Sequence, residues 1–490
     1  METTYWLTRF YFQRALGATY VVAFLIAINQ FRGLVGKNGI LPMHLFLERV
    51  KFWDAPGLFW INSSDLFISI FAWIGLALSI FAMIGYSDAF GPVVSILTWF
   101  LLWVIYSSFV NTGQVFYGFG WEILLLETGF LAIFMGHSAS KPSIIVIFLL
   151  RWLLFRLMFG AGMIKIRGDE CWRDLTCLKY HYETMPLPGP TSRYFYFLPM
   201  WFQKASVLGN HFVELIVPFF YFWPRLARNT AGAITVFFQL FIIASGNFSW
   251  LNHITIVIAI ACFDDGFFKT FLPFLTPWAQ ALGVAGVSTA VSVVNGIWSP
   301  VIYGVAAAVG YLSISPIRNL VSSSQMMNTS FDALHLVNTY GAFGSITKER
   351  DEVILSGADT IEGPWKEYEF KGKPGDVSRT PPLVSPYHYK LDWQMWFAAM
   401  SPYYQHPWIL SLVGNLLQGN QTTIDLIRVD PFPNKAPKFI RADLFKYEYS
   451  DLSEKNTWTR TYKGSYLPPL SLDDPKFREL LQEQGWLNEQ

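Results

Sequence analysis

Apolar runs long enough to cross a bilayer recur from Gly17 to Leu312 and then stop. A membrane helix needs about 20 mostly apolar residues, because the hydrocarbon core holds no water to satisfy an open backbone. Runs of that kind occupy 17–35, 65–86, 92–111, 119–136, 143–164, 206–223, 230–247, 249–263 and 286–310. Ahead of the first, Met1 to Phe12 sets Trp6, Phe10, Tyr11 and Phe12 beside Arg9, with Arg14 just beyond. That mixture predicts an amphipathic segment on the membrane surface, followed by an uncleaved anchor. The segment 266–283, apolar but broken by Pro273 and Pro277, reads as interfacial.

Composition divides the chain in the same place. Only 14% of residues are charged, against about 25% in an ordinary soluble domain. The deficit lies in the front portion; beyond Ser313 charge returns, with Lys348, Glu349, Arg350, Asp351 and Glu352 in one row. Segments at Glu352–Ser356, Trp365–Phe370, Thr423–Val429 and Phe445–Tyr449 alternate or run like strands, and Asp392–Ala399 and Trp408–Leu417 read as short helices. The expected fold is a membrane α-helical bundle of about nine transmembrane helices followed by a soluble α+β, β-rich C-terminal domain. Its boundaries are 1–312 for the bundle, with a structured outer loop at 165–205, a linker at 313–330, and 331–490 for the extramembrane domain, read as a sheet sandwich with inserted helices. Short basic loops at Arg225–Arg228 and around Lys141 fall on the side of the N-terminus. The positive-inside rule makes that side cytoplasmic and puts the C-terminal domain outside, although the long loops 36–64 and 165–205 then carry Lys and Arg outside too. A net charge of +1 leaves nothing to neutralise a phosphate backbone, so nucleic acid is excluded as a partner.

Ionisable groups inside the apolar runs are costly and therefore informative. Glu122, Glu127, Arg151, Arg156, His211, Glu214 and His253 all fall there. Glu127, Arg156 and Glu214 lie about eight residues, roughly 12 Å, below the outer surface. Two arrangements fit: structural ion pairs between helices, or a cavity opening outward. Lys165 follows the small-residue stretch Gly160-Ala161-Gly162, where helices can pack closely. It either snorkels to the interface or serves as a desolvated base. No metal-ligand spacing, phosphate loop or nucleophile elbow is present, so neither metal nor cofactor is expected. Cys171 and Cys177 enclose five residues of a polar loop; they form a disulfide if that loop faces an oxidising compartment and otherwise remain thiols.

The loop after the fifth run carries Arg156-Leu-Met-Phe-Gly-Ala-Gly-Met-Ile-Lys165, Cys171-Trp-Arg-Asp-Leu-Thr-Cys177, His181-Tyr-Glu-Thr184 and Pro186-Leu-Pro188. Further on come Asn338-Thr-Tyr-Gly-Ala-Phe-Gly-Ser-Ile-Thr347, Pro381-Pro382, Ser385-Pro-Tyr-His388, Leu391-Asp-Trp-Gln-Met-Trp396, Pro431-Phe432, Ile440-Arg441-Ala442 and Tyr466-Leu-Pro-Pro469. Through these stretches nearly the whole chain resembles the lipase maturation factor family. The resemblance implies a chaperone-like protein of the endoplasmic reticulum membrane that helps secreted lipases fold and assemble. It also implies client binding by a lumenal C-terminal domain, and a loop carrying Cys171 and Cys177 in an oxidising space. No retrieval signal is evident, which keeps the cytoplasmic (inner) membrane of a prokaryote open as a location. A weaker likeness, through Ala161, Gly162 and Lys165, is to the vitamin K-dependent carboxylase superfamily.

Two functions follow. The first is a non-enzymatic maturation factor whose partners are an exported client, a lipase by resemblance, and membrane lipid. Tyr387, His388, Tyr403, Tyr404 and Trp408 are its candidate client contacts, while Trp393 and Trp396 are expected in the domain core. The second is a membrane enzyme with Lys165 or His211 as catalytic base in an outward-opening cavity, accompanied by Glu122, Glu127, Arg156, Glu214 and His253.

Overall fold

The structure is a computed structural model and describes residues 4–138, 140–275 and 289–487. Among the described residues, the front portion is built around the helices α1 (Trp6–Val35), α2 (Asp65–Met83), α3 (Pro92–Thr112), α4 (Gly120–Ala132), α5 (Ile144–Arg167), α6 (Met200–His211), α7 (Arg225–Ser245), α8 (Leu251–Ala259) and α9 (Thr289–Leu312). Starts follow local chemistry. The Ser64 and Ser143 hydroxyls accept backbone N–H groups at the heads of α2 and α5, and Pro92 opens α3, where no backbone donor is needed. α6 continues through a π-turn at Phe212–Ile216 and a tighter 3-10 turn at Val217–Phe222, which contains Pro218.

Among the described residues, seven helices are long and apolar enough to cross a membrane: α1, α2, α3, α5, Met200–Phe222, α7 and Trp298–Val321. The expected runs at 119–136 and 249–263 are helical but short. α4 has 13 residues, nearly all buried, and is walled by protein rather than lipid, so its ends are met by protein groups. The last crossing stretch continues through Ile314–Val321, past Leu312. Residues 276–283 of the interfacial segment lie outside the described residues; ahead of them stand the helix Asp265–Phe271 and a turn at Pro273–Leu275.

The N-terminal expectation is corrected. Residues 6–12 do not lie on a surface; they are the first turns of α1, with Leu7, Phe10 and Phe12 buried. Arg9 and Arg14 belong there because both are paired. Arg9 donates to the carbonyls of Ser138 (3.0 Å) and Ser140 (2.5 Å). Arg14 grips both oxygens of Asp88, at 3.1 and 2.7 Å. At the same end Asp265 accepts the backbone N–H of Leu7 at 2.7 Å.

The C-terminal portion holds one four-stranded antiparallel sheet, not a sandwich. Its strands are β1 (Arg350–Ala358), β2 (Lys366–Glu367), β3 (Phe439–Tyr449) and β4 (Trp458–Leu470), in the order β2-β1-β3-β4. Leu355 pairs with Ala442, and Glu448 with Thr459. A second sheet is unnecessary because both faces are already covered. Val353 and Leu355 enter the main core shared with α10 (Lys390–Ala399) and α11 (Trp408–Leu417), while Ile354, Tyr447, Tyr449 and Trp458 form a second cluster with Val377 and Tyr196. The charged row 348–352 is only half solvated: Arg350 and Glu352 are fully buried. Thr423–Val429 is not a strand; Asn420 caps a helical turn at Gln421–Ile424.

The sheet domain sits on one end of the bundle, together with loops 36–64, 113–119, 165–205 and 246–250. Asn415 and Asn420 donate to the carbonyl of Asn38, and Ser411 to that of Ile40. Asn247 bridges Pro188 and Pro382, and Arg350 donates to the carbonyls of Glu183, Met185 and Pro186.

Candidate functional site

Three charged groups of the bundle meet partners from elsewhere in the chain, and a cavity lies beside one of them. The first cluster joins α4, α5 and the stretch 338–340. Arg156 pairs with Glu127, both about 1% exposed, and donates to the carbonyl of Asn338 at 2.6 Å. The other Glu127 oxygen accepts the Asn338 backbone N–H and side-chain amide, each at 3.0 Å, and the Tyr340 hydroxyl at 2.7 Å. A carboxylate with this many donors stays charged at far lower cost than a bare one. Gly160 makes the approach possible, since a Cβ there would stand 2.5 Å from the Tyr340 carbonyl oxygen. The Asn338–Thr347 motif is thus a plug set into the end of the bundle that carries the sheet domain.

The second cluster joins α4 to α10. Lys390 donates to Glu122 at 2.6 Å, and the other Glu122 oxygen takes the Tyr106 hydroxyl. The ammonium lies 3.5 Å from the centre of the Tyr117 ring. Burial pushes the Lys390 pKa down, and the Glu122 charge pulls it back up. Lys390 was not recognisable as a site residue. Its one sequence signal is a lone lysine directly ahead of the Trp-rich Leu391–Trp396 motif.

The third cluster lies at the C-terminal end of α5. Lys165 donates to both oxygens of Glu214, at 2.5 and 2.7 Å, and Asn210 donates to Glu214 at 2.9 Å. The Trp172 ring lies 5.4 Å from the ammonium. Nε2 of His211 lies 2.9 Å from the Trp172 carbonyl oxygen. A cavity of about 680 Å³ opens beside this pair, lined by α5, α6, α7, the 172–186 loop, the 340–347 plug and the 393–400 helix. Its walls are chiefly aromatic and aliphatic, with Lys165, Glu214, Asn210 and His181 as polar points.

The structure therefore distributes the ionisable groups over separate pairs. Glu127 meets Arg156 and Lys165 meets Glu214, while Glu122 is taken by the C-terminal domain. His211 bonds the loop backbone, and His253, half-buried on α8, shares no hydrogen bond with these groups. Among the described residues, no group of three or more His, Cys, Asp or Glu is placed to hold a metal ion. Cys171 and Cys177 lie together, with Cα atoms 4.7 Å apart, in a small cluster with Trp172, Val207 and Ile346. Of the aromatic candidates, His388 and Trp408 are inside the core, Tyr387 and Tyr403 are half-buried against it, and Tyr404 is 69% exposed. Trp393 is buried too, packed on Phe119 and Trp121.

The pattern named Lipase maturation factor transmembrane domain matches residues 7–270, and Lipase maturation factor C-terminal domain matches 336–468. The chain belongs to the lipase maturation factor family. It is 41% identical to lipase maturation factor 1 of Mus musculus, across 99% of this chain and 90% of the relative. The Homo sapiens protein of that name is also 41% identical, with 99% and 91% covered. Lipase maturation factor 2 of Xenopus laevis is 32% identical, with 98% and 84% covered. No solved structure matches. Both matched stretches contain members of the clusters above, since Glu122, Glu127, Arg156, Lys165 and Glu214 lie in the first and Asn338, Tyr340 and Lys390 in the second. In this family member the bundle and the sheet domain are thus joined through buried charge.

Proposed function

We propose that this chain is a membrane maturation factor that assists the folding and assembly of exported lipases, acting as a binding scaffold rather than a catalyst. The observation that carries the reading is near full-length similarity to lipase maturation factors, on a chain whose intramembrane charges are spent on internal pairs. A lysine base must offer its nitrogen to the substrate, and the Lys165 nitrogen is instead held by both oxygens of Glu214. The C-terminal domain faces the lumen of the endoplasmic reticulum, or the extracytoplasmic side in a prokaryote. There Cys171 and Cys177 form a cystine. The client meets the exposed edge of α10 and the turn after it, where Phe397, Met400 and Tyr404 are the exposed large groups. His388 and Trp408 support that surface from within.

The test is rescue. Cells lacking their own lipase maturation factors are supplied with a secreted lipase and with this chain, and lipase activity in the medium is measured. Restored activity per unit of lipase protein is expected. Unrestored activity, with the chain present in the membrane at normal level, would reject the reading.

A further inference from the structure

The cavity beside Lys165 shares Phe397 and Met400 with the proposed client surface, but its α6–α7 side has features that client binding does not use. Its 680 Å³ falls in the range of about 300–1,000 Å³ typical of small-molecule sites. Two helices face one another across it: Ser206, Gly209 and Val213 on α6, and Phe237, Phe238 and Phe241 on α7. α7 packs on the Val217–Phe222 turn, and beyond that turn the cavity lies between the two helices. The gap opens sideways. Phe237 is 73% exposed, Ser206 and Gly209 are half-buried, and a Cβ on Gly209 would meet no atom within 4 Å. Leu208, Phe212, Ile216 and Leu240, on the same two crossing stretches, are exposed apolar groups. A molecule reaching this gap comes from hydrocarbon, not from water.

Around Lys165 the cavity wall is polar and carries no net charge. Lys165 and Glu214 cancel, and Asn210 is neutral. His181 is more than nine-tenths buried, stacked 5.8 Å from Phe248 and edge-on to Phe343 at 5.0 Å. It lines the cavity, and among the described residues no hydrogen bond to its ring acts on it. Burial, with the Lys165 charge second, pushes its pKa down to about 3, so the ring is neutral. The ring faces open cavity space, and a bound molecule offering a hydroxyl or ester oxygen would give it a hydrogen-bond partner. A phosphate or carboxylate head would instead enter as an unpaired buried charge.

We propose that this cavity binds one uncharged lipid: an acyl chain lying along Phe237, Phe238 and Phe241, with a hydroxyl- or ester-bearing head on His181 and Asn210. It enters sideways between α6 and α7. The inference goes beyond the maturation role and does not depend on it.

The test uses the full-length protein in nanodiscs and a monooleoylglycerol probe with a photoreactive diazirine in its chain and an alkyne for capture. Labelling is mapped by mass spectrometry. The expected result is labelling of cavity-facing residues of α6 and α7, displaced by plain monooleoylglycerol better than by oleate or oleoyl lysophosphatidic acid. Gly209→Trp, whose Cβ enters open space, should cut cavity labelling roughly tenfold at an unchanged melting temperature; Ser206→Trp is the second plug should the first misfold. His181→Phe keeps the ring stack and should weaken displacement roughly fivefold, the worth of one hydrogen bond. Labelling confined to lipid-facing positions such as Leu208 and Leu240, or undiminished by a folded plug variant, would overturn the proposal. Stronger displacement by oleate or the phosphate would overturn the uncharged head. Lipase rescue plays no part in this measurement, so its failure and the failure of the maturation reading are separable.

Discussion

At the scale of single residues the molecule is governed by charges that never reach water. Glu127 is held by Arg156, Asn338 and Tyr340. Removing it strands a guanidinium that is 1% exposed, so Glu127→Ala should cost about 3–5 kcal/mol. Replacing both partners, as Glu127→Leu with Arg156→Leu, should recover much of that loss. Thermal unfolding of the purified proteins in detergent compares the two. His181 gives a pH effect of defined sign. Its folded pKa of about 3 lies below the ordinary 6.5, so the unfolded chain binds the proton first. Stability is then lost as pH falls from 6.5 toward 3, by about 2 kcal/mol between pH 7 and pH 5. His181→Phe should flatten that slope relative to the parent, and melting curves across the same pH range check it. These charges were legible as charges in apolar runs, and the choice between pairing and cavity was legible as a choice. Partners were not. Lys390 meets Glu122 across 268 residues of chain, and no local pattern encodes so distant a contact.

At the scale of elements, helices were easier to read than strands, for a physical reason. Apolar length marks a crossing helix whatever its neighbours do, which is how α2, α3, α5 and α7 stand out. α1 was read short because Arg9 and Arg14 looked like a surface, and only Asp88 and the carbonyls of Ser138 and Ser140 make them interior groups. Strands depend on pairing. β4 escaped notice because it is an edge strand of mostly exposed Thr, Arg, Lys and Tyr, ending at Pro468 and Pro469. Thr423–Val429 has the composition of a strand, but Asn420 starts a helical turn there. The 165–205 loop was recognisable as structured from its Cys, Trp and Pro content. A cystine closing so short a loop should be worth about 2 kcal/mol. Cys171→Ser with Cys177→Ser should lower the melting temperature accordingly and, through Trp172, loosen the loop around His211. Hydrogen exchange across 168–186 reports that loosening.

At the scale of the whole molecule, the sheet domain is not an appendage on a tether. It supplies Asn338, Tyr340 and Lys390 to carboxylates buried in the bundle, and Arg350 to the loop between α5 and α6. Deleting 331–490 would therefore take Lys390 from Glu122 and Asn338 and Tyr340 from Glu127, and the truncated bundle should be unstable rather than merely inactive. Yields and melting of the truncated chain, set beside the same truncation carrying Glu122→Leu and Glu127→Leu, test this. Added stability from the two leucines is the expected outcome. The division between oil-facing front and water-facing back was plain in the sequence, whereas its joint was not, because the joint is built from pairs that each half shows only singly. On the account proposed, those pairs fasten a client-binding scaffold and do no chemistry. The most direct measurement is lipase rescue by the variant carrying Lys165→Met and Glu214→Leu together, which keeps volume and removes the ion pair. The account predicts secreted lipase activity within about twofold of the unaltered chain at equal expression. Loss of rescue by a variant that folds and reaches the membrane normally would contradict it.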